Sequence, residues 1–206
     1  MGCDIHMFLE VRKYPYQDEK RENGIWISKD KWSIEPDHYL CPEDNYKKYR
    51  VDYDDLIYKG RNYYLFSVLA NVRNYNSFDY ISEPKGLPND VSSEIKDESD
   101  HWGSDGHSHS YLTLRELLSY NWNKEIIAHD LYGTEEKAKA ELGDKIISSY
   151  PNGVFGFKVE YKESIGETML DFLETIESMK KHLYSSDKEY WRVTEDDIRL
   201  VFWFDN

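Results

Sequence analysis

The stretch Cys3-Asp4-Ile5-His6-Met7-Phe8-Leu9-Glu10-Val11 decides how the chain is read. Cys3, Ile5, Met7, Leu9 and Val11 alternate with Asp4, His6, Phe8 and Glu10, a period of two that a β-strand turns into two faces. The strand starts almost at the first residue, and one face holds Asp4 and His6 side by side. A charged loop with Pro15 and Asn23-Gly24 follows, and residues 25–28 read as the returning strand of a hairpin. At the far end, Ile198, Leu200, Phe202 and Phe204 alternate with Arg199, Val201 and Trp203 as a second strand, central or at an edge. These two ends predict an α+β fold: a mixed or antiparallel sheet opening with an N-terminal β-hairpin and closing with a C-terminal strand, helices packed on one side.

Between the ends, residues 33–60 are polar and Tyr-rich without a clear period and read as a long loop with short pieces of structure. Leu65, Phe66, Val68, Leu69 and Val72 fall at helical spacing after Gly60-Arg61-Asn62. Asn89 or Asp90 is placed to cap a short helix running to about residue 99. Thr113-Leu114-Arg115-Glu116 is a capping box, so a helix begins at Leu114, directly after a His-rich loop. Residues 134–142 form a short helix closed by Gly143, and residues 154–161 a strand. Residues 165–183 form a long amphipathic helix that buries Ile165, Met169, Phe172, Leu173, Ile176 and Leu183.

The chain has 206 residues with 40 acidic and 26 basic side chains, a formal charge of −14. Duplex nucleic acid is excluded as a partner, because its binders neutralise phosphates with Lys and Arg. The 18 Tyr, 6 Trp and 8 Phe exclude a disordered chain, since scarce aromatics are part of that signature. Length predicts one compact domain over 1–206; the candidate chemical groups fall in 1–122, read as the functional part, and 123–206 reads as a structural part. Asp4, His6 and Glu10 interrupt any leader-like apolar run, and no stretch approaches the roughly 20 apolar residues of a membrane span. His6 stands where a myristoylation motif wants Ser or Thr, so Met1-Gly2-Cys3 is not expected to be acylated. With two cysteines, Cys3 and Cys41, reduced thiols in a cytoplasm are expected. Cys3 alternates away from Asp4 and His6, which predicts a buried, inert thiol.

Three of the seven histidines lie in residues 101–109, interleaved with Asp105. If residues 105–109 are extended, Asp105, His107 and His109 share a face, the geometry by which an H-x-H pair grips a metal. Asp4, His6, His107 and His109 then offer a mixed imidazole and carboxylate set suited to Zn, Mn or Fe, and a bound ion would activate water for hydrolysis. A metal-free version uses His107 or His109 as general acid or base, with Asp4 or Asp105 orienting the ring. The plain alternative is a hydrogen-bonded loop before a helix and a solvated strand end. Arg61, Arg73 and Lys85, beside turns or helix boundaries, are the candidates to hold phosphate, with Asn62 between Arg61 and Tyr63. Tyr63 and Trp102 are candidates to stack a base. In so acidic a chain, pairing of Arg61 with a carboxylate is the favoured plain reading.

Asp4-Ile5-His6 and Gly106-His107-Ser108-His109 resemble two motifs of the calcineurin-like metallophosphoesterases. The Gly-Asp and Gly-Asn-His motifs that this family places between them have no counterpart here, so the likeness is one of chemistry. A second resemblance rests on an ordered set: Met1-Gly2-Cys3-Asp4-Ile5-His6, Gly60-Arg61-Asn62-Tyr63-Tyr64-Leu65-Phe66, Gly86-Leu87-Pro88-Asn89-Asp90-Val91-Ser92, and Trp102-Gly103-Ser104-Asp105-Gly106-His107-Ser108-His109-Ser110-Tyr111-Leu112-Thr113. It is similar to small proteins of tailed bacteriophages and prophages, mostly without an assigned function, and covers residues 1–122. The resemblance implies a phage origin and a bacterial cytoplasm, a setting in which small proteins counter host defence by destroying or sequestering nucleotide immune signals.

Three functions follow as expectations. The first is a phosphodiesterase-type hydrolase of cyclic (di)nucleotides that uses Asp4, His6, Asp105, His107 and His109, with or without a metal. The second is a non-catalytic sponge for a cyclic oligonucleotide or ADP-ribose derivative, with a pocket between subunits of a homo-oligomer. The third is an acidic nucleic-acid mimic that binds a host protein. The first two share a small phosphorylated nucleotide as partner, and none involves a membrane.

Overall fold

A computed structural model describes residues 2–35 and 48–206. Cys41 and the middle of the 33–60 stretch lie outside the described residues. Residues 1–120 with 171–206 form one compact unit, and residues 121–170 form a second.

The first unit is built on a four-stranded antiparallel sheet of β1 (Ile5–Lys13), β2 (Ile25–Ser28), β5 (His107–Thr113) and β9 (Ile198–Phe204), in the order β2-β1-β9-β5. β9 is central, and all seven of its residues are buried. Its physical reason is the apolar run from Leu200 to Phe204, which leaves neither face for water and requires cover on both. Phe202, Trp203 and Phe204 are fully buried, each such side chain contributing roughly 1.5–3 kcal/mol. The α+β class, the opening hairpin and the closing strand stand together in this sheet as expected. The helices differ from expectation, because they cover both faces. Phe66 of α1 (Tyr63–Ala70) meets Phe204 at 5.0 Å on one face. On the other, Ile95 of α2 (Ser93–Trp102) packs with Phe8, Val201 and Trp203. A strand buried on both faces cannot be served by a single helical layer.

A buried ion pair crosses the second face. Arg199 Nε donates to Glu10 Oε2 at 2.7 Å, and Arg199 Nη1 donates to Asp90 Oδ1 at 2.9 Å. Glu10 Oε1 also accepts from the Ser92 N–H at 2.7 Å. Asp90 is therefore spent on Arg199, and the residue at the N-cap of α2 is Ser92. By contrast, the capping box at Thr113 and Glu116 starts α3 (Leu114–Ser119) as the sequence predicts. In the described part of the 33–60 stretch, a separate pair of short strands, β3 (Trp32–Glu35) and β4 (Lys48–Val51), is followed by a single 3₁₀ turn at Tyr53–Asp55.

In the second unit, β6 (Glu125–Tyr132), β7 (Ile146–Pro151) and β8 (Phe157–Ser164) make an antiparallel sheet in the order β6-β8-β7. α4 (Glu135–Leu142) has Thr134 as N-cap and Gly143 as C-cap, as read. Val154 and Phe155 belong to the turn before β8, so that strand starts later than predicted. α5 (Leu170–Lys180), which belongs to the first unit from Asp171 onward, is shorter than the predicted 165–183 helix, and Leu183 is exposed beyond its end. No described helix is long and apolar enough to cross a membrane.

Candidate functional site

The antiparallel register brings the start of β1, the end of β9 and the start of β5 to one end of the first sheet. His6 lies opposite Trp203, and both Ile5 and His107 lie opposite Phe204. The chain continues from β9 into Asp205, whose carboxylate holds two groups at the start of β1. The Asp4 N–H donates to Asp205 Oδ1 at 2.9 Å, and His6 Nε2 sits 3.2 Å from Asp205 Oδ2. The His6 imidazole lies against Trp102 at 4.1 Å and Trp203 at 5.7 Å between ring centres, with 21% of its side chain exposed. A carboxylate on one nitrogen and indoles beside the ring fix its orientation, an arrangement suited to general acid–base work.

Asp4, expected as a group to orient His107 or His109, is engaged elsewhere. It pairs with Arg61, which donates to both of its oxygens, and that contact is the main cause holding the Asp4 carboxyl below its ordinary range. Both side chains are about half exposed. Asn62 caps α1, its Oδ1 accepting from the N–H groups of Tyr64 and Leu65. The Tyr63 hydroxyl accepts from the Cys3 N–H at 3.2 Å, and the Arg73 guanidinium lies over the Tyr63 ring at 5.2 Å. Arg73 also donates to Asn206 Oδ1 at 3.1 Å. Cys3 is buried, as its alternation predicts, and burial pushes its thiol up against the opposing pull of Arg73. Arg61, Asn62, Tyr63, Arg73 and Trp102 thus gather at the sheet end that holds Asp4 and His6. Lys85 pairs instead with Glu116 at the start of α3 and lies over the Tyr111 ring at 4.9 Å.

The His107–His109 pair is not what the spacing predicts. Ser108 has a φ of 52°, and the register slips between His107 and Ser110. A bulge of this kind sets an extra residue against the partner strand and resets the alternation. His107 accordingly stacks on Phe204 at 6.1 Å, and His109 on Trp203 at 5.6 Å, on opposite faces of the sheet. Asp105 is exposed in the turn that follows α2. Among the described residues no three His, Cys, Asp or Glu side chains stand together as a metal-holding group, so the expected set of Asp4, His6, His107 and His109 does not assemble.

His109 shares Trp203 with His6, from the strand on the other side of β9. Burial pushes its pKa down and the neighbouring His107 adds to the effect, so it is held neutral to lower pH than an exposed imidazole. It lines an open depression of about 540 Å³ with Ser108, Gly103, Asp100 and Leu87. Gly106 is needed where these parts meet. A Cβ there would stand 3.1 Å from Trp102 Cβ and 3.5 Å from both His109 Cε1 and Trp203 Cδ1.

Sequence reading missed Asp205 and Trp203. The one available signal was the C-terminal strand itself. If it pairs antiparallel to the first strand, its last residues must reach Asp4 and His6. Comparison with protein-family models, with curated proteins and with solved structures finds no match to this chain.

Proposed function

We propose that the chain is a metal-independent phosphodiesterase-type hydrolase of a small nucleotide, with His6 as general acid or base and Asp205 as the group that orients it. The observation that carries the reading is the His6–Asp205 contact at 3.2 Å beside the half-exposed Arg61. His6 Nδ1 has no protein partner among the described residues and is the nitrogen left for a ligand. Proton transfer by such a positioned imidazole typically contributes 10²–10⁴-fold in rate, roughly. Arg61 would grip a phosphate by exchanging its exposed Asp4 partner for the ligand, and Trp102 would support a base. The phage resemblance supplies the setting, a bacterial cytoplasm in which cyclic dinucleotides signal infection.

The test is incubation of the full chain with cyclic dinucleotides and ADP-ribose derivatives, followed by chromatography. Cleavage that falls by two or more orders of magnitude in His6→Ala and Asp205→Asn supports the reading. Intact ligand at stoichiometric protein sinks it. Sequestration is the second reading, favoured by the separation of His107 from His109 across the sheet, which removes the expected pair of catalytic histidines. In that case the ligand binds and returns unchanged after heat denaturation.

A further inference from the structure

The far end of β1 carries an arrangement unlike the rest of this acidic chain. Arg12 and Lys13, at the close of β1, line a depression of about 330 Å³ together with Arg192 and the rings of Tyr184, Tyr190 and Trp191. Not one acidic residue lines it among the described residues, although acidic side chains outnumber basic ones by 40 to 26 overall. Tyr190 is buried, whereas Tyr184 and Trp191 are each 55% exposed and leave ring surface open. The Arg12 guanidinium rests near the rings of Tyr14 at 5.3 Å and Trp26 at 5.8 Å, and its Nε is buried without a hydrogen-bond acceptor among the described residues. Buried donors are nearly always satisfied, so an unmet one needs a reason. Gly24 makes the room for it, because a Cβ there would stand 2.6 Å from Arg12 Nε. Arg192 pairs with Glu189 at 3.0 Å, an exposed contact that an incoming anion can replace.

We propose that this depression binds a small anionic ligand with a flat ring, of the mononucleotide class: the ring stacks on Trp191 or Tyr184 and the phosphate meets Arg12, Lys13 and Arg192. Planar guanidinium groups and an ammonium are the donors that phosphate recognition uses. Exposed aromatic rings supply stacking that tolerates any base. The volume is at the lower end of the roughly 300–1,000 Å³ of small-molecule sites, which suits one nucleotide rather than a dinucleotide. A polymer of phosphates would meet the acidic field around the patch, and a single small anion need only meet the patch. The site is separate from the His6 end. Arg12 stands six residues along the strand from His6, about 20 Å at roughly 3.3 Å per residue, so the proposal does not rest on catalysis by His6.

The test is calorimetric titration of the full chain with adenosine 5′-monophosphate, with adenosine and inorganic phosphate as the two half-ligands. The monophosphate is expected to bind more tightly than either half and to weaken as salt rises. Trp191→Ala and Lys13→Met change exposed side chains, and each should weaken it about tenfold with the circular-dichroism spectrum unchanged. His6→Ala should bind as the unaltered chain does. The proposal is overturned by absence of monophosphate binding, by binding that both variants retain, or by binding lost in His6→Ala alone. It is equally overturned if single-stranded oligoadenylate binds far more tightly than the monophosphate at equal salt.

Discussion

Asp30 ties stability to pH in a direction opposite to that of most carboxylates. It is partly buried after β2, where it accepts from the Leu9 N–H at 3.0 Å and from the Ser28 hydroxyl at 2.8 Å. Burial is the largest influence and, with the Glu10 charge adding to it, pushes the pKa from 3.8 to about 6 against those hydrogen bonds. The folded chain therefore holds the Asp30 proton more tightly than the unfolded chain. Its contribution is fully present below about pH 3.8 and is lost as pH rises through about 6. At about 1.36 kcal/mol per pH unit, the loss is at most about 3 kcal/mol. Asp30→Asn keeps an acceptor oxygen for both donors and removes the titration. The variant should exceed the unaltered chain by up to about 3 kcal/mol at pH 8, and by under about 1 kcal/mol at pH 4. Urea unfolding of both proteins across that range measures the difference. A gap that stays constant with pH, or that widens towards acid, refutes the burial argument.

Removing Arg199 should leave Glu10 buried with only the Ser92 N–H as donor. Arg199→Met is expected to cost about 3–5 kcal/mol, and Glu10→Gln in the same chain should restore part of it. A loss under about 1 kcal/mol in urea unfolding would mean that the network is not what joins the sheet to the segment before α2. Thr113→Ala opens the capping box of α3 and should lower stability by about 0.5–2 kcal/mol, read from the same transition. If Asp205 orients His6, Asp205→Asn should lower turnover and alter its pH profile, while Asp105→Asn, in an exposed turn, should do neither.

Much of the fold was legible because its signals are local. The period of two at residues 3–11, Asn62 ahead of an apolar helix, the Thr113–Glu116 box and Gly143 after residue 142 each act within a few residues, and each has its element in the structure. Where the reading failed, a distant competitor decided. Asp90 is a good cap by type, yet Arg199 claims it from 109 residues away. The residues at 154–155 look strand-forming, yet they turn the chain between β7 and β8. His107 and His109 share a face in an unbroken strand, and one residue at positive φ separates them.

The candidate site divides in the same way. Sequence alone determined the residue types and clusters: Asp4 and His6 on one strand, a His-rich turn before a helix, and Arg61 and Arg73 flanking an apolar helix. Only the tertiary structure decided who meets whom. Antiparallel pairing of the first and last strands delivers Asp205 to His6 across 199 residues and sets Arg12 and Lys13 with Arg192 around one depression, and the segment before α1 brings Arg61 to Asp4. Those encounters follow from strand order and register, which are properties of the packed sheet as a whole; no short window of sequence contains them.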